Sequence, residues 1–135
     1  MSILFDGLCP LIQVFDMDAS LHFYRDLLGF TVHMTSTPEP DGHVEWCWLK
    51  GPGNACLMLN TMFEREQRPH RPDPARVDVH RDTCFYIGCK DLDAAFRYLR
   101  EKGLELKEPH VTSYGARQLY LKDPDGYNVC FQWSA

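Results

Sequence analysis

Two segments of this chain repeat one another, and a repeat decides architecture before any single residue does. The stretch D-M-D-A-S-L-H-F-Y-R-D-L-L-G-F, Asp16 to Phe30, lines up with D-L-D-A-A-F-R-Y-L-R-E-K-G-L, Asp91 to Leu104, at an offset of 75 once one residue is dropped before the glycine. Each segment reads as a helix. An Asp accepts from the free N–H groups of the first turn, and a second Asp sits near the positive end of the helix dipole. Apolar residues follow every three or four positions, Leu21, Tyr24 and Leu28 in one copy and Phe96 and Leu99 in the other, so one stripe is buried. Gly29 and Gly103 supply the left-handed C′ position that ends the helix.

An apolar run precedes each helix, Cys9 to Phe15 and Thr83 to Cys89, and reads as a strand. Three more candidate strands follow each helix. In the first half they are Phe30 to Ser36, Val44 to Leu49 and Ala55 to Asn60. In the second they are Leu104 to Lys107, Gln118 to Lys122 and Asn128 to Trp133. Turns fall in matching places, Gly51-Pro52-Gly53-Asn54 in one copy and Asp123-Pro124-Asp125-Gly126 in the other. Each half is therefore βαβββ, one spanning residues 8–60 and the other 83–133, within a single domain covering 1–135. The stretch 61–82 between them has no period, carries Pro69, Pro72 and Pro74, and balances five arginines against five acids. It reads as a solvated linker, or as a flap over a ligand site with His70 and His80 offering polar contacts.

The composition allows a packed core and excludes several function classes. Hydrophobic residues make up 44% of the 135 and aromatics 13%, enough apolar mass for a chain that buries about two-thirds of its unfolded surface. A net charge of −5 argues against binding a nucleic-acid backbone or an anionic membrane surface, so neither is expected as a partner. No stretch approaches the length needed to span a bilayer, and the N-terminal apolar run is too short for a secretory signal, so a cytoplasmic location is expected. In that compartment the six cysteines at 9, 47, 56, 84, 89 and 130, with no C-x-x-C pair, read as thiols rather than a disulfide framework.

The two βαβββ halves, the D-M-D-A-S-L-H-F-Y-R-D-L-L-G-F element, K-G-P-G-N-A-C-L-M-L, and Y-G-A-R followed by D-P-D-G-Y together resemble the vicinal-oxygen-chelate superfamily, and within it the glyoxalase/bleomycin-resistance branch. The likeness runs from Leu8 to Trp133. It implies an α+β fold in which two tandem modules form a curved eight-stranded cup, and it implies a homodimer. The family's metal enzymes place ligands at the start of the first strand and within the last strand of each module. Carried onto this chain, those positions are Cys9, Cys56, Cys84 and Cys130. None is the His, Gln or Glu that isomerases and dioxygenases of the family use, and Pro10 is what its metal-free, bleomycin-resistance-like members tend to carry. Two readings of the four cysteines stand side by side. They are small core residues around a pseudo-twofold axis, or they are a tetrahedral thiolate site for zinc or another thiophilic ion. Cys47 and Cys89 fall outside the set and read as packing residues.

Strand alternation predicts which side chains share a face with those cysteines: Leu11, Gln13, Met58, Asn60, Tyr86, Gly88 and Gln132. Val14, Phe85, Ile87, Val129, Phe131 and Trp133 fall in the opposite phase, under the helices. Trp46 and Trp48 share one face of the third strand, where they would clamp a planar or cationic ligand or simply pack, and Gln118 and Tyr120 are their counterparts. Arg117, Glu45, His33 and His43 are the charged or titratable candidates around a rim. The expected ligand-binding set is Leu11, Gln13, Trp46, Trp48, Met58, Tyr86, Arg117, Tyr120 and Gln132, with no catalytic residue assigned. Asp16/Asp18 and Asp91/Asp93 are better explained as helix starts than as paired catalytic acids. The leading expectation is a protein that holds a hydrophobic or aromatic small molecule without metal or other cofactor. The alternatives are a lyase, isomerase or dioxygenase of the same fold, and a binder of zinc or a softer ion through the four thiols.

Overall fold

The computed structural model describes residues 2–135. The chain divides into two compact units at the Arg68–Pro69 boundary. Each holds one four-stranded sheet.

In the first unit the elements are β1 (Leu11–Val14), α1 (Met17–Leu21), β2 (Thr31–Thr35), β3 (Trp46–Lys50) and β4 (Cys56–Thr61). The sheet order is β1-β4-β3-β2, with β1 parallel to β4 and the other pairs antiparallel. Asp16 caps α1, its Oδ1 accepting from the backbone N–H of Asp18 at 3.0 Å and of Ala19 at 3.3 Å. The helix continues as a π-helical stretch over His22–Leu27 before Gly29 turns the chain with φ +87°. This explains the one-residue mismatch between the repeats. The extra residue is absorbed by widening the helix, so that Leu28 N–H reaches back five residues to the Phe23 carbonyl at 3.0 Å. The core lies between helix and sheet. Ile12, Val14, Cys47, Leu49, Leu57 and Leu59 are buried on one face of the sheet, and Met17, Leu21 and Tyr24 are buried on the helix. Cys47 Sγ lies 3.9 Å from the Met17 sulfur, and burial pushes its thiol up to about 11, so it is a packing residue.

The second unit contains α2 (Pro74–Val79), β5 (Cys84–Gly88), α3 (Leu92–Glu101), β6 (His110–Val111), β7 (Ala116–Lys122) and β8 (Asn128–Ser134). Its sheet runs β5-β8-β7-β6 with β5 parallel to β8, the same connectivity as the first. Asp91 caps α3 through Ala94 N–H at 2.9 Å. Gly103 ends the helix at φ +93°, and Leu104 N–H closes on the Leu99 carbonyl at 3.1 Å, a Schellman ending.

Two expectations change here. The strand expected at Leu104 to Lys107 does not join the sheet, and the short β6 at His110–Val111 takes that place opposite Gln118 and Arg117. The alternation Leu-Glu-Leu-Lys is real as a burial pattern, since Leu104 and Leu106 are half-buried between exposed charges. Alternation reports which side chains turn inward, not whether the backbone finds a ladder partner. The stretch before β5 is also more ordered than a solvated linker. Asp73 accepts from Ala75 N–H at 3.0 Å, Pro74 occupies the first helical turn, and α2 forms. His80, expected as a polar contact of a flap, is buried in the second module. Its Nδ1 donates to the Asp125 carbonyl at 2.6 Å and its ring stacks on Tyr127 at 3.9 Å between centroids. His70 is exposed.

Candidate functional site

Register decides which side chains meet. In the first module Leu11 pairs with Met58 and Met58 with Trp48, so these three form one row across β1, β4 and β3. Gln13, Asn60 and Trp46 form the next row, tied by Asn60 Nδ2 donating to Gln13 Oε1 at 3.3 Å. All six lie opposite the buried helix-side residues, and each is exposed or half-buried within the module. The predicted set Leu11, Gln13, Trp46, Trp48 and Met58 therefore shares one open face. A helix covers only one side of a four-stranded sheet, and the apolar side chains of the other side are left for something else to cover.

Trp48 is the best-defined of them. The His33 ring meets it edge to face at 4.8 Å, and Lys50 Nζ lies 5.2 Å from its ring centre. Its Nε1–H is buried and has no hydrogen-bond acceptor of normal geometry among the described residues, although the Cys9 sulfur stands beside it. A cavity of about 730 Å³ opens next to this ring, lined by Leu8, Cys9, Trp48, Lys50, Asn54 and Cys56 among others. That volume is in the range of small-molecule sites, about 300–1,000 Å³. Lys50 and Asn54 were legible only as turn residues of K-G-P-G-N. That tight turn sets both beside the start of β4, which no strand pattern reveals.

In the second module Tyr86, Cys130 and Tyr120 form the corresponding row, and Gly88, Gln132, Gln118 and His110 the next. The hydroxyls of Tyr86 and Tyr120 meet at 3.1 Å across Cys130, whose residue is fully buried. The Tyr86 hydroxyl, followed by burial, pushes the Tyr120 phenol up. Gln118 Nε2 donates to Gln132 Oε1 at 2.7 Å and to the Tyr114 hydroxyl at 2.8 Å. Tyr86, Tyr120 and Gln132 are thus brought together. Arg117 is not among them. It pairs with Trp133 on the helix side of β7 and grips Asp93 of α3, Nη2 to Oδ1 at 2.9 Å, which holds that carboxyl below its usual range. One step along a strand reverses the face, and Arg117 is one step from Gln118. Trp133, expected under the helices, sits at the strand's end, 41% exposed with Lys90 Nζ 5.4 Å from its ring. His43 Nε2 lies 3.3 Å from Glu45 Oε1, and Glu45 accepts from the Thr61 hydroxyl, so both belong to a local polar cluster.

The four cysteines do not occupy equivalent positions. Lys50 pairs with Cys56, and Lys122 pairs with Asn128, so the hairpins repeat at an offset of 72. The counterpart of Cys56 is Asn128, and Cys130 answers to Met58. The signal was present in the sequence, because K-G-P and K-D-P align at 72. Aligning cysteine on cysteine hid it. In the first module Cys56 is near enough to Cys9 to help raise its thiol, while in the second Cys84 and Cys130 are offset along their strands and the tyrosine pair roofs Cys130. Burial raises the thiols of both Cys84 and Cys130. Among the described residues no group of three or more His, Cys, Asp or Glu gathers to hold a metal. This donor set does not fit the hard Lewis-acid ion of the family's isomerases, which takes oxygen and imidazole ligands.

A helix-backed βαβββ sheet, occurring twice with the same strand order, defines the class of paired βαβββ proteins. The chain belongs to the Glyoxalase/Bleomycin resistance protein/Dioxygenase superfamily, whose family model matches residues 8–131. No curated protein matches. Among solved structures, a bleomycin-binding protein complexed with bleomycin aligns at 17% identity and TM-score 0.68, over 97% of this chain and 100% of that one. A bleomycin resistance determinant encoded on transposon Tn5 aligns at 18% identity and TM-score 0.68, over 96% and 98%. A superfamily member from Sphaerobacter thermophilus aligns at 21% identity and TM-score 0.66, over 96% and 97%. At these identities the likeness shows the fold.

Proposed function

We propose that this chain binds a hydrophobic or aromatic small molecule, without metal, against the open face of its first module. The observation that carries the reading is the row Leu11, Met58, Trp48 with Trp46 beside it. Apolar side chains are left uncovered on a sheet whose other face is buried along β1, β3 and β4, next to a cavity of about 730 Å³. The indoles offer flat apolar contact area to a ligand. The bleomycin bound by one structural neighbour supports the same class of activity. On the second module's own open face we assign Tyr86, Tyr120 and Gln132 as hydroxyl and amide groups for polar ligand contacts. We further propose that the protein works as a homodimer in the cytoplasm, with neither nucleic acid nor membrane as partner. Its net charge of −5 supports the exclusions, and no helix among the described residues is long and apolar enough to cross a membrane.

Binding is tested by titrating anilinonaphthalene sulfonate and bleomycin while following tryptophan fluorescence. Trp48→Ala is expected to weaken binding about tenfold or more, close to 1.4 kcal/mol, from lost stacking and lost apolar contact. Unchanged affinity in folded Trp46→Ala and Trp48→Ala variants would remove this face as the site. One zinc per chain, retained after purification and lost in Cys9→Ser, would instead favour the thiolate reading. Light scattering that returns the mass of a monomer would remove the dimer.

A further inference from the structure

Cys9 and Cys56 are placed as neighbours, and the repeat does not account for them. Extending the β1–β4 register two residues back from Leu11 and Met58 sets Cys9 directly opposite Cys56. The backbone pairing holds as far as Pro10, whose carbonyl accepts from Met58 N–H at 2.8 Å. Direct neighbours on adjacent strands are about 4.8 Å apart, inside the range of about 4.4–6.8 Å between Cα atoms that a disulfide spans. Both side chains point to the open face, both are partly accessible, and both line the cavity beside Trp48. The Cys56 thiol already reaches across to this strand, donating to the Leu8 carbonyl at 3.0 Å. In the second module the position opposite Cys84 is Asn128, so this juxtaposition is particular to the first.

We propose that Cys9 and Cys56 form a reversible disulfide that joins the entry to β1 to the start of β4 and narrows the cavity at that end. The oxidant is a low-molecular-weight disulfide such as oxidised glutathione. The Cys56 thiolate attacks one of its sulfurs, forming a mixed disulfide and releasing one glutathione thiolate. The Cys9 thiolate then attacks the Cys56 sulfur, closing the bridge and releasing the second. Two protein thiols lose their protons to the two thiolates released, and two electrons pass to the glutathione. Burial and the neighbouring Cys56 thiol push the Cys9 thiol up to about 12, so closure is the slow step. Lys50, Asp6 and the Trp48 indole also line this end of the cavity. Closure should therefore speed up by about tenfold per pH unit above neutrality, as more Cys9 thiolate forms.

The test is intact-mass and peptide mapping of reduced protein after exposure to oxidised glutathione, acid quenching and alkylation. The expected product is monomeric, two hydrogens lighter, with Cys9 linked to Cys56 and Cys47, Cys84, Cys89 and Cys130 alkylated. Dithiothreitol should reverse it. Cys9→Ser should halt at a glutathione adduct on Cys56. A wild-type protein that accumulates that adduct without closing, or that bridges other cysteines or two chains, would overturn the proposal. The bridge is read by mass and needs no ligand, so its failure is distinguishable from failure of the binding function.

Discussion

Asp123→Ala is expected to lower the unfolding free energy by about 3 kcal/mol, on the order of 10 °C in melting temperature for a chain of this size. The Asp123 carboxylate is buried in the turn between β7 and β8, where Oδ1 accepts from Asp125 N–H at 2.9 Å and from Tyr127 N–H at 2.8 Å. Truncation leaves two buried N–H groups without their acceptor, and each such group costs about 1–3 kcal/mol. The loss spreads further, because the same turn presents the Asp125 carbonyl to His80 and the Tyr127 ring to its imidazole. Asp123→Asn keeps an oxygen in place of Oδ1 and should recover most of the stability. Urea or thermal unfolding checks both. Equal losses for the two variants would mean that the charge, and not the acceptor geometry, holds the turn.

Gly126→Ala should cost a similar amount by a different route. Gly126 has φ +84°, and a Cβ there would stand 2.8 Å from the Val77 carbonyl oxygen and 2.9 Å from Val77 Cγ1. The left-handed conformation alone costs a non-glycine residue roughly 1–2 kcal/mol, and forcing the backbone of α2 away adds about 1–3 kcal/mol. Gly115 is the control, since it has φ +83° with nothing within 4 Å of the added carbon. Gly115→Ala should show the conformational cost without the clash. If the two variants lose equal stability, α2 is not clamped on this turn. The two turn substitutions are neighbours, so their effects should not add in a double variant.

Much of the fold was written in short-range patterns. The D-x-D-A starts and terminal glycines located α1 and α3 because capping is local chemistry, settled within four residues of the helix end. The open face of the first module was legible as well, because alternation along Leu11, Gln13, Trp46, Trp48 and Met58 needs only the pleat. Arg117, expected at a rim, lies in phase with buried Leu119 and Leu121, and its partner Asp93 on α3 is a tertiary contact that strand alternation does not report. His80 could not be assigned from sequence, because its partners Asp125 and Tyr127 lie about 45 residues further along the chain.

The cysteines mark the boundary between the two kinds of information. By itself the sequence determined that two βαβββ units form and which strand faces carry the thiols, because both follow from periodicity and caps acting over a few residues. Only the tertiary structure decided that Cys9 meets Cys56, that Cys84 meets Asn128, and that tyrosines close over Cys130. Register between strands is set by the length of the loops and by packing against the helix. A two-residue slip preserves every inward and outward choice while changing every partner.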